Sequence, residues 1–235
     1  MNNRRSFIVG IKSTKLSLKE RNFIKKYKPW GIILFTRNIK NIQQTQKLTS
    51  EIRKIFNDKK YPILIDQEGG RVNRLKNLIS FDNLTSEFFG KKFIKNYLEF
   101  TTYYNLFIDK TSYLLRLIGV NINTCPVLDL KIKGSSNIIG DRSFSRNPKI
   151  VSKIGDMCIN LFHKNGIGTV IKHIPGHGLA KVDSHYFTPV VQKELRYLGK
   201  NDFFPFKRKK SFFAMTAHII FNKIDKRNTV TQSKK

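Results

Sequence analysis

The chain has 235 residues and a formal net charge of +29, from 45 Lys and Arg against 16 Asp and Glu. That length suits one large domain with a sizeable core, and no window approaches the roughly 18 uninterrupted apolar residues of a membrane span, nor does the N-terminus carry an apolar segment of signal length. The positive charge is mostly lysine, spread along nearly every segment without aromatic interleaving, so it reads as solvated surface; no specific nucleic acid and no membrane is expected as a partner.

The predicted elements alternate. Phe7 to Ile11 reads as a first strand, and Ser17 to Tyr27 as an amphipathic helix with apolar residues at 18, 23, 24 and 27. Gly31 to Phe35 is a second strand. A helix over 41–57 follows, burying Ile42, Leu48, Ile52, Ile55 and Phe56, and then a third strand, Ile63-Leu64-Ile65. A polar excursion leads to a helix over 101–118, a fourth strand within 120–128, and a helix over 149–165. Val170-Ile171 marks a fifth strand and Phe212 to Thr216 a sixth. Continuous apolar strands separated by amphipathic helices indicate a parallel sheet covered by helices, an α/β fold. No internal repeat appears, and only 222–235 is polar and unpatterned. The division expected is a (β/α) barrel domain over 1–221 and a polar C-terminal tail over 222–235. Cys125 and Cys158 lie in apolar contexts without ligand spacing, as free thiols of a reducing compartment would. A cytoplasmic monomer is expected.

In such folds chemistry sits at the C-terminal ends of the strands. Strand three ends in Asp66-Gln67-Glu68-Gly69-Gly70-Arg71, strand four in Pro126-Val127-Leu128-Asp129, strand five in Lys172-His173, and strand six in Thr216-Ala217-His218. Three of the five histidines fall between Lys172 and His185, in a loop with Gly176 and Gly178. Asp183 and His185, two residues apart, are able to pair, and a carboxylate beside an imidazole fixes its tautomer and poises it for proton transfer. Each residue also has a structural reading. Asp66 can cap the segment that follows it. Arg142 can bridge to Asp129 or Asp141. His177 and His218 are expected to support loop geometry.

Five segments, in order, resemble the glycoside hydrolase family 3 β-N-acetylhexosaminidases of bacterial cell-wall recycling. They are Ile65 to Val72, Gly140 to Phe144, Lys172 to Gly178, Asp183-Ser184-His185, and Met215 to His218. The resemblance implies a (β/α)8 barrel and retaining hydrolysis of terminal β-linked N-acetylglucosamine, with a muropeptide fragment as substrate. It places Asp66, Arg74, Arg142, Lys172 and His173 around the glycone and makes His185, held by Asp183, the general acid/base. The family's nucleophile is an aspartate some thirty residues beyond the Met-Thr-Ala-His strand, whereas this sequence ends seventeen residues after His218. An incomplete barrel of about six strands with impaired catalysis is therefore expected, and Asp225, which matches a non-catalytic position, is not expected to substitute. The alternatives are a non-catalytic, weak sugar binder and a metal-dependent hydrolase using His173, His177, Asp183 and His185. The spacing of that second set is not a known ligand pattern, so neither a metal nor another cofactor is expected.

Overall fold

Six apolar segments pair side by side as one parallel sheet in the computed structural model of the chain, which describes residues 4–183 and 186–235. β1 (Arg5–Gly10), β2 (Pro29–Leu34), β3 (Ile63–Ile65), β4 (Ile122–Asn123) and β5 (Gly168–Ile174) are laid down in chain order. β6 (Val190–Val191) lies apart from this sheet, and β7 (Phe213–Thr216) completes it beside β5. Parallel neighbours require crossovers, which α1 (Leu18–Tyr27), α2 (Ile42–Phe56), α3 (Ser86–Lys95), α4 (Tyr97–Leu117) and α5 (Pro148–Lys164) supply. Each of these helices starts at a side chain that accepts from an otherwise orphaned backbone N–H: Ser17 in a capping box with Glu20, then Asn41, Thr85, Asn96 and Asn147.

The six strands and the parallel order match the sequence reading. Three details differ. The polar excursion after β3 contains a helix of its own, α3, because Thr85 caps a turn that buries Phe89. The fourth strand is only two residues long, since Pro126 cannot donate to a ladder; the chain beyond it stays attached through Leu128 N–H to the Lys172 carbonyl, 2.8 Å. A small parallel ladder between β6 and β8 (Ile220–Phe221) was not anticipated. With α6 (Leu195–Lys200), it buries Ala180, Val191, Leu198, Ala217, Ile219 and Phe221. The stretch 222–235 is tied to it, with Asn222 donating to Val191 and Val230 to Ile219.

The sheet has two apolar faces. Ile32, Leu34, Ile63 and Ile65 join the main core with Ile24, Ile52, Phe100 and Phe162 from the helices. On the inner face Leu64, Ile122 and Val170 form a separate cluster with Trp30, Ile33 and Met215. The sheet curves until Trp30 of β2 meets Phe213 of β7, ring centroids 5.2 Å apart. β1 and β7 each have one sheet neighbour, so the barrel wall stays open between them.

Gly90 marks the tightest joint. A Cβ there would overlap the Phe144 carbonyl oxygen, in the loop that presents Arg142. Gly90→Ala should cost about 1–3 kcal/mol, as overpacking does. Urea denaturation should show the lower midpoint; an unchanged midpoint would mean that the two segments are not held in contact.

Candidate active site

Side chains two residues apart on a strand share a face. Leu64, Ile122 and Val170 point inward, so Asp66, Thr124 and Lys172 form the next layer toward the C-terminal ends. The hydrogen bonds bear this out. Lys172 Nζ donates to Asp66 Oδ1 and Thr124 Oγ1, 3.1 Å each, and the Thr124 hydroxyl donates to Asp66. Burial pushes the Asp66 carboxyl up, but the Lys172 charge and these bonds outweigh it and leave it below the usual carboxylate range.

Glu68, two residues beyond Asp66, is buried against this layer with its side chain 3 % exposed. It accepts two parallel bonds from Arg142, Nε at 2.7 Å and Nη2 at 2.8 Å, and a third contact from Lys172 Nζ at 2.6 Å. Burial alone would raise its pKa; Lys172 and Arg142 overcome that and hold it at about 2, well under the ordinary 4.5. Burial likewise lowers Lys172, and the charges of Glu68 and Asp66 more than restore it, so the ammonium persists at 2 % exposure. Such a network is tolerated because every charge has a partner; removing one partner from a buried pair costs about 3–5 kcal/mol.

A second anchor lies under the strand-five loop. Asp129, fully buried, accepts from His173 Nδ1 at 2.6 Å and from the His177 backbone N–H at 2.7 Å. Burial would raise its pKa, and electrostatic attraction to and the hydrogen bond from His173 pull it below the usual range. With Nδ1 so engaged, His173 presents Nε2 to the cavity, the tautomer that this hydrogen bond implies. Burial lowers the pKa of His177 and favours its neutral form. Asp66, Glu68, Arg142, Lys172, His173 and His177 line one cavity of about 510 Å³ with Arg74, Ile138, Ile139, Thr216 and His218. Arg74 Nη2 stands 3.8 Å from Asp66 Oδ2.

Five of the residues singled out in sequence, Asp66, Arg74, Arg142, Lys172 and His173, thus converge on one cavity. His185 lies outside the described residues, so its pairing with Asp183 is not described; Asp183 itself is half-buried on the loop after β5. Asp66 is not a cap. The Arg142 salt bridge goes to Glu68, not to Asp129 or Asp141; Asp141 pairs with Arg71, 2.9 Å, which also donates to the carbonyls of Asn137, Ile138 and Ile139 and pins that loop. His218 lines the cavity mouth and contacts the Thr231 hydroxyl at 3.3 Å. Asp225 accepts four hydrogen bonds within its own turn, from the Arg227 and Asn228 backbones and the Asn228 and Ser233 side chains. Sequence reasoning missed the roles of Glu68 and Asp129. The signal was available: each is a carboxylate at or just past a predicted strand end. Among the described residues no group of three His, Cys, Asp or Glu is placed to hold a metal ion.

A model of the glycosyl hydrolase family 3 N-terminal domain matches residues 7–235. The β-hexosaminidases of Hydrogenovibrio crunogenus and Methylococcus capsulatus are each 34% identical over 221 residues, covering 93% and 91% of this chain but 61% and 63% of their own. Native NagZ from Neisseria gonorrhoeae superposes with a TM-score of 0.86 at 30% identity, over 94% of this chain and 65% of that one. NagZ from the same organism in complex with N-trifluoroacetyl-D-glucosamine gives 0.83 at 29%, over 94% and 66%. The chain spans less than two thirds of the length of the curated relatives it matches.

Asp202 makes a pH prediction. It is 1 % exposed, packs against Gly176 and Gly178, and among the described residues has no hydrogen-bond partner on either carboxylate oxygen. Burial, with Asp129 nearby, pushes it up to about 7 from 3.8. The folded state then holds a proton that the unfolded state releases, so this group's contribution to stability falls as pH rises from 3.8 to about 7. Asp202→Asn should therefore gain stability relative to the parent across that window, read from denaturation midpoints at several pH values. A difference independent of pH would show that Asp202 is ionised throughout.

Proposed function

The chain belongs to glycosyl hydrolase family 3, and from that premise we propose that it works as a β-N-acetylhexosaminidase, binding terminal β-1,4-linked N-acetylglucosamine of peptidoglycan fragments in cytoplasmic cell-wall recycling. The observation that carries the reading is the convergence of Asp66, Arg142, Lys172 and His173, with Arg74 beside them, on one sugar-sized cavity. A sugar ring offers hydroxyls that both donate and accept. Asp66 and His173 Nε2 supply acceptors, and Arg74, Arg142 and Lys172 supply donors; Asp66, Arg142, Lys172 and His173 are already held by hydrogen bonds to Thr124, Glu68 and Asp129. Two further observations agree: the relatives are named β-hexosaminidases, and one neighbouring structure holds an N-acylated glucosamine. No helix among the described residues is long and apolar enough to cross a membrane.

Hydrolysis needs an acid at the leaving oxygen and then a base for water. We assign both to His185, oriented by Asp183, in the segment that follows β5. A retaining route also needs a carboxylate nucleophile. Asp225 is not assigned that role, because its oxygens already serve its own turn. The 235-residue polypeptide is accordingly proposed to hold the glycone and to turn over poorly; the alternative of a non-catalytic sugar binder shares the same pocket.

Calorimetry should find N-acetylglucosamine bound in about the millimolar range, where hydrogen bonds to one small sugar only just exceed the cost of association. Asp66→Ala should remove that binding and Asp225→Ala should not; equal affinity in the parent and Asp66→Ala proteins would overturn the pocket. An aryl β-N-acetylglucosaminide should be hydrolysed far below the usual range of about 1–10³ per second. Turnover within that range, lost in His185→Ala, would show that the nucleophile lies among these residues.

A further inference from the structure

Three cations crowd one small cavity. Arg74, Arg142 and Lys172 line it, and guanidinium and ammonium groups gathered at strand ends are what phosphate and carboxylate sites are made of. This cavity is not left in that state. Glu68 takes the planar fork of Arg142 through two parallel bonds and Lys172 through a third contact, from a position that water barely reaches. Its own place is fixed by the backbone: Glu68 N–H donates to the Val72 carbonyl at 3.0 Å. Asp66 faces Arg74 and Lys172, and Asp129 lies beneath His173. Among the described residues that line the cavity or touch its floor, three carboxylates therefore oppose three cations. The N–H groups that still point outward are donors in a pocket without net fixed charge. That suits an uncharged polyol and offers little to an anion, which would meet Glu68 and Asp66 as well as the cations.

We propose that Glu68 is a specificity-determining residue: by neutralising Arg142 and Lys172, it keeps the pocket selective for an uncharged glycone over a phosphorylated sugar or free phosphate. The proposal rests on the sugar-binding reading above and adds to it what the pocket rejects. Glu68 lines the cavity with both carboxylate oxygens already engaged by Arg142 and Lys172, so it acts through the two cations and its removal does more than loosen the fold. It turns a neutral donor array into a cationic one.

The experiment is calorimetric titration of the 235-residue chain with inorganic phosphate and, separately, with N-acetylglucosamine, using the parent protein, Glu68→Gln and Glu68→Asp. The parent should bind phosphate at least about tenfold more weakly than the sugar. Glu68→Gln, which keeps the shape and loses the charge, should gain phosphate affinity by about tenfold or more and lose sugar affinity. Glu68→Asp, which restores the charge, should bind phosphate as the parent does. Equal phosphate affinity in all three proteins overturns the proposal, and so does a parent that binds phosphate as tightly as the sugar. Circular dichroism shows whether Glu68→Gln is folded; if it is not, the parent's ratio of the two affinities decides alone. Should the parent bind no sugar, the sugar-binding reading fails by itself. The gain of phosphate binding in Glu68→Gln then still supports the charge-neutralising role, and its absence refutes it.

Discussion

Glu68 accepts from Arg142 and Lys172 at a depth where water barely reaches the carboxylate or the ammonium and where Arg142 is largely covered. Taking such groups out of water costs several kcal/mol per ion, and their mutual attraction repays this only when geometry and hydrogen bonding are nearly complete. Here they are. Arg142 offers its fork to both carboxylate oxygens, and Lys172 spends its other donors on Asp66 and Thr124. The residues come from three separated parts of the chain, the loop after β3, the loop before α5, and β5. The network therefore forms only when the sheet has brought all three together, and once formed it fixes the floor of the cavity.

The sheet does this with few residues. β3 and β4 contribute three and two residues, yet they place Asp66 and Thr124 one step beyond the apolar inner layer of Leu64 and Ile122. The same alternation on β5 separates two roles on neighbouring residues. Lys172 turns inward to Asp66 and Glu68, while His173 engages Asp129. One strand end thus serves two anchors, an ionic one at the cavity and a carboxylate–imidazole one under the loop. That loop is further held by the small β6–β8 ladder and its own apolar cluster, which also gathers in residues 222–235. Among the described residues the outer edges of β1 and β7 carry no sheet partner, and an unpaired strand edge offers backbone groups to any chain that can pair with it.

Much of this was legible in the sequence. Parallel strands buried on both faces read as short apolar runs, and the caps Ser17, Asn41 and Asn147 stand where the amphipathic patterns begin. The five cavity residues sat at or beyond strand ends, and the family motifs named them. α3 was less legible, because its ten residues mix lysines with phenylalanines and look like part of the polar excursion. The fourth strand looked longer than it is: apolar residues continue past Pro126, but a ladder cannot. Glu68 and Asp129 could be seen as carboxylates near strand ends, but not with their partners. Arg142 had two nearer acids, Asp129 and Asp141, and only the folded chain shows that Asp129 belongs to His173, Asp141 to Arg71, and Glu68, 74 positions away, to Arg142.

The proposed glycone pocket at the C-terminal ends of β3, β4 and β5 depends on the charge-balanced floor of Glu68, Arg142 and Lys172. Diffraction from crystals of the chain soaked in N-acetylglucosamine tests it most directly. The account predicts the sugar between Asp66, Arg142, Lys172 and His173, with Asp66 accepting from a ring hydroxyl and Glu68 still held by both cations. Sugar bound elsewhere, with this cavity empty at full soak concentration, would contradict it.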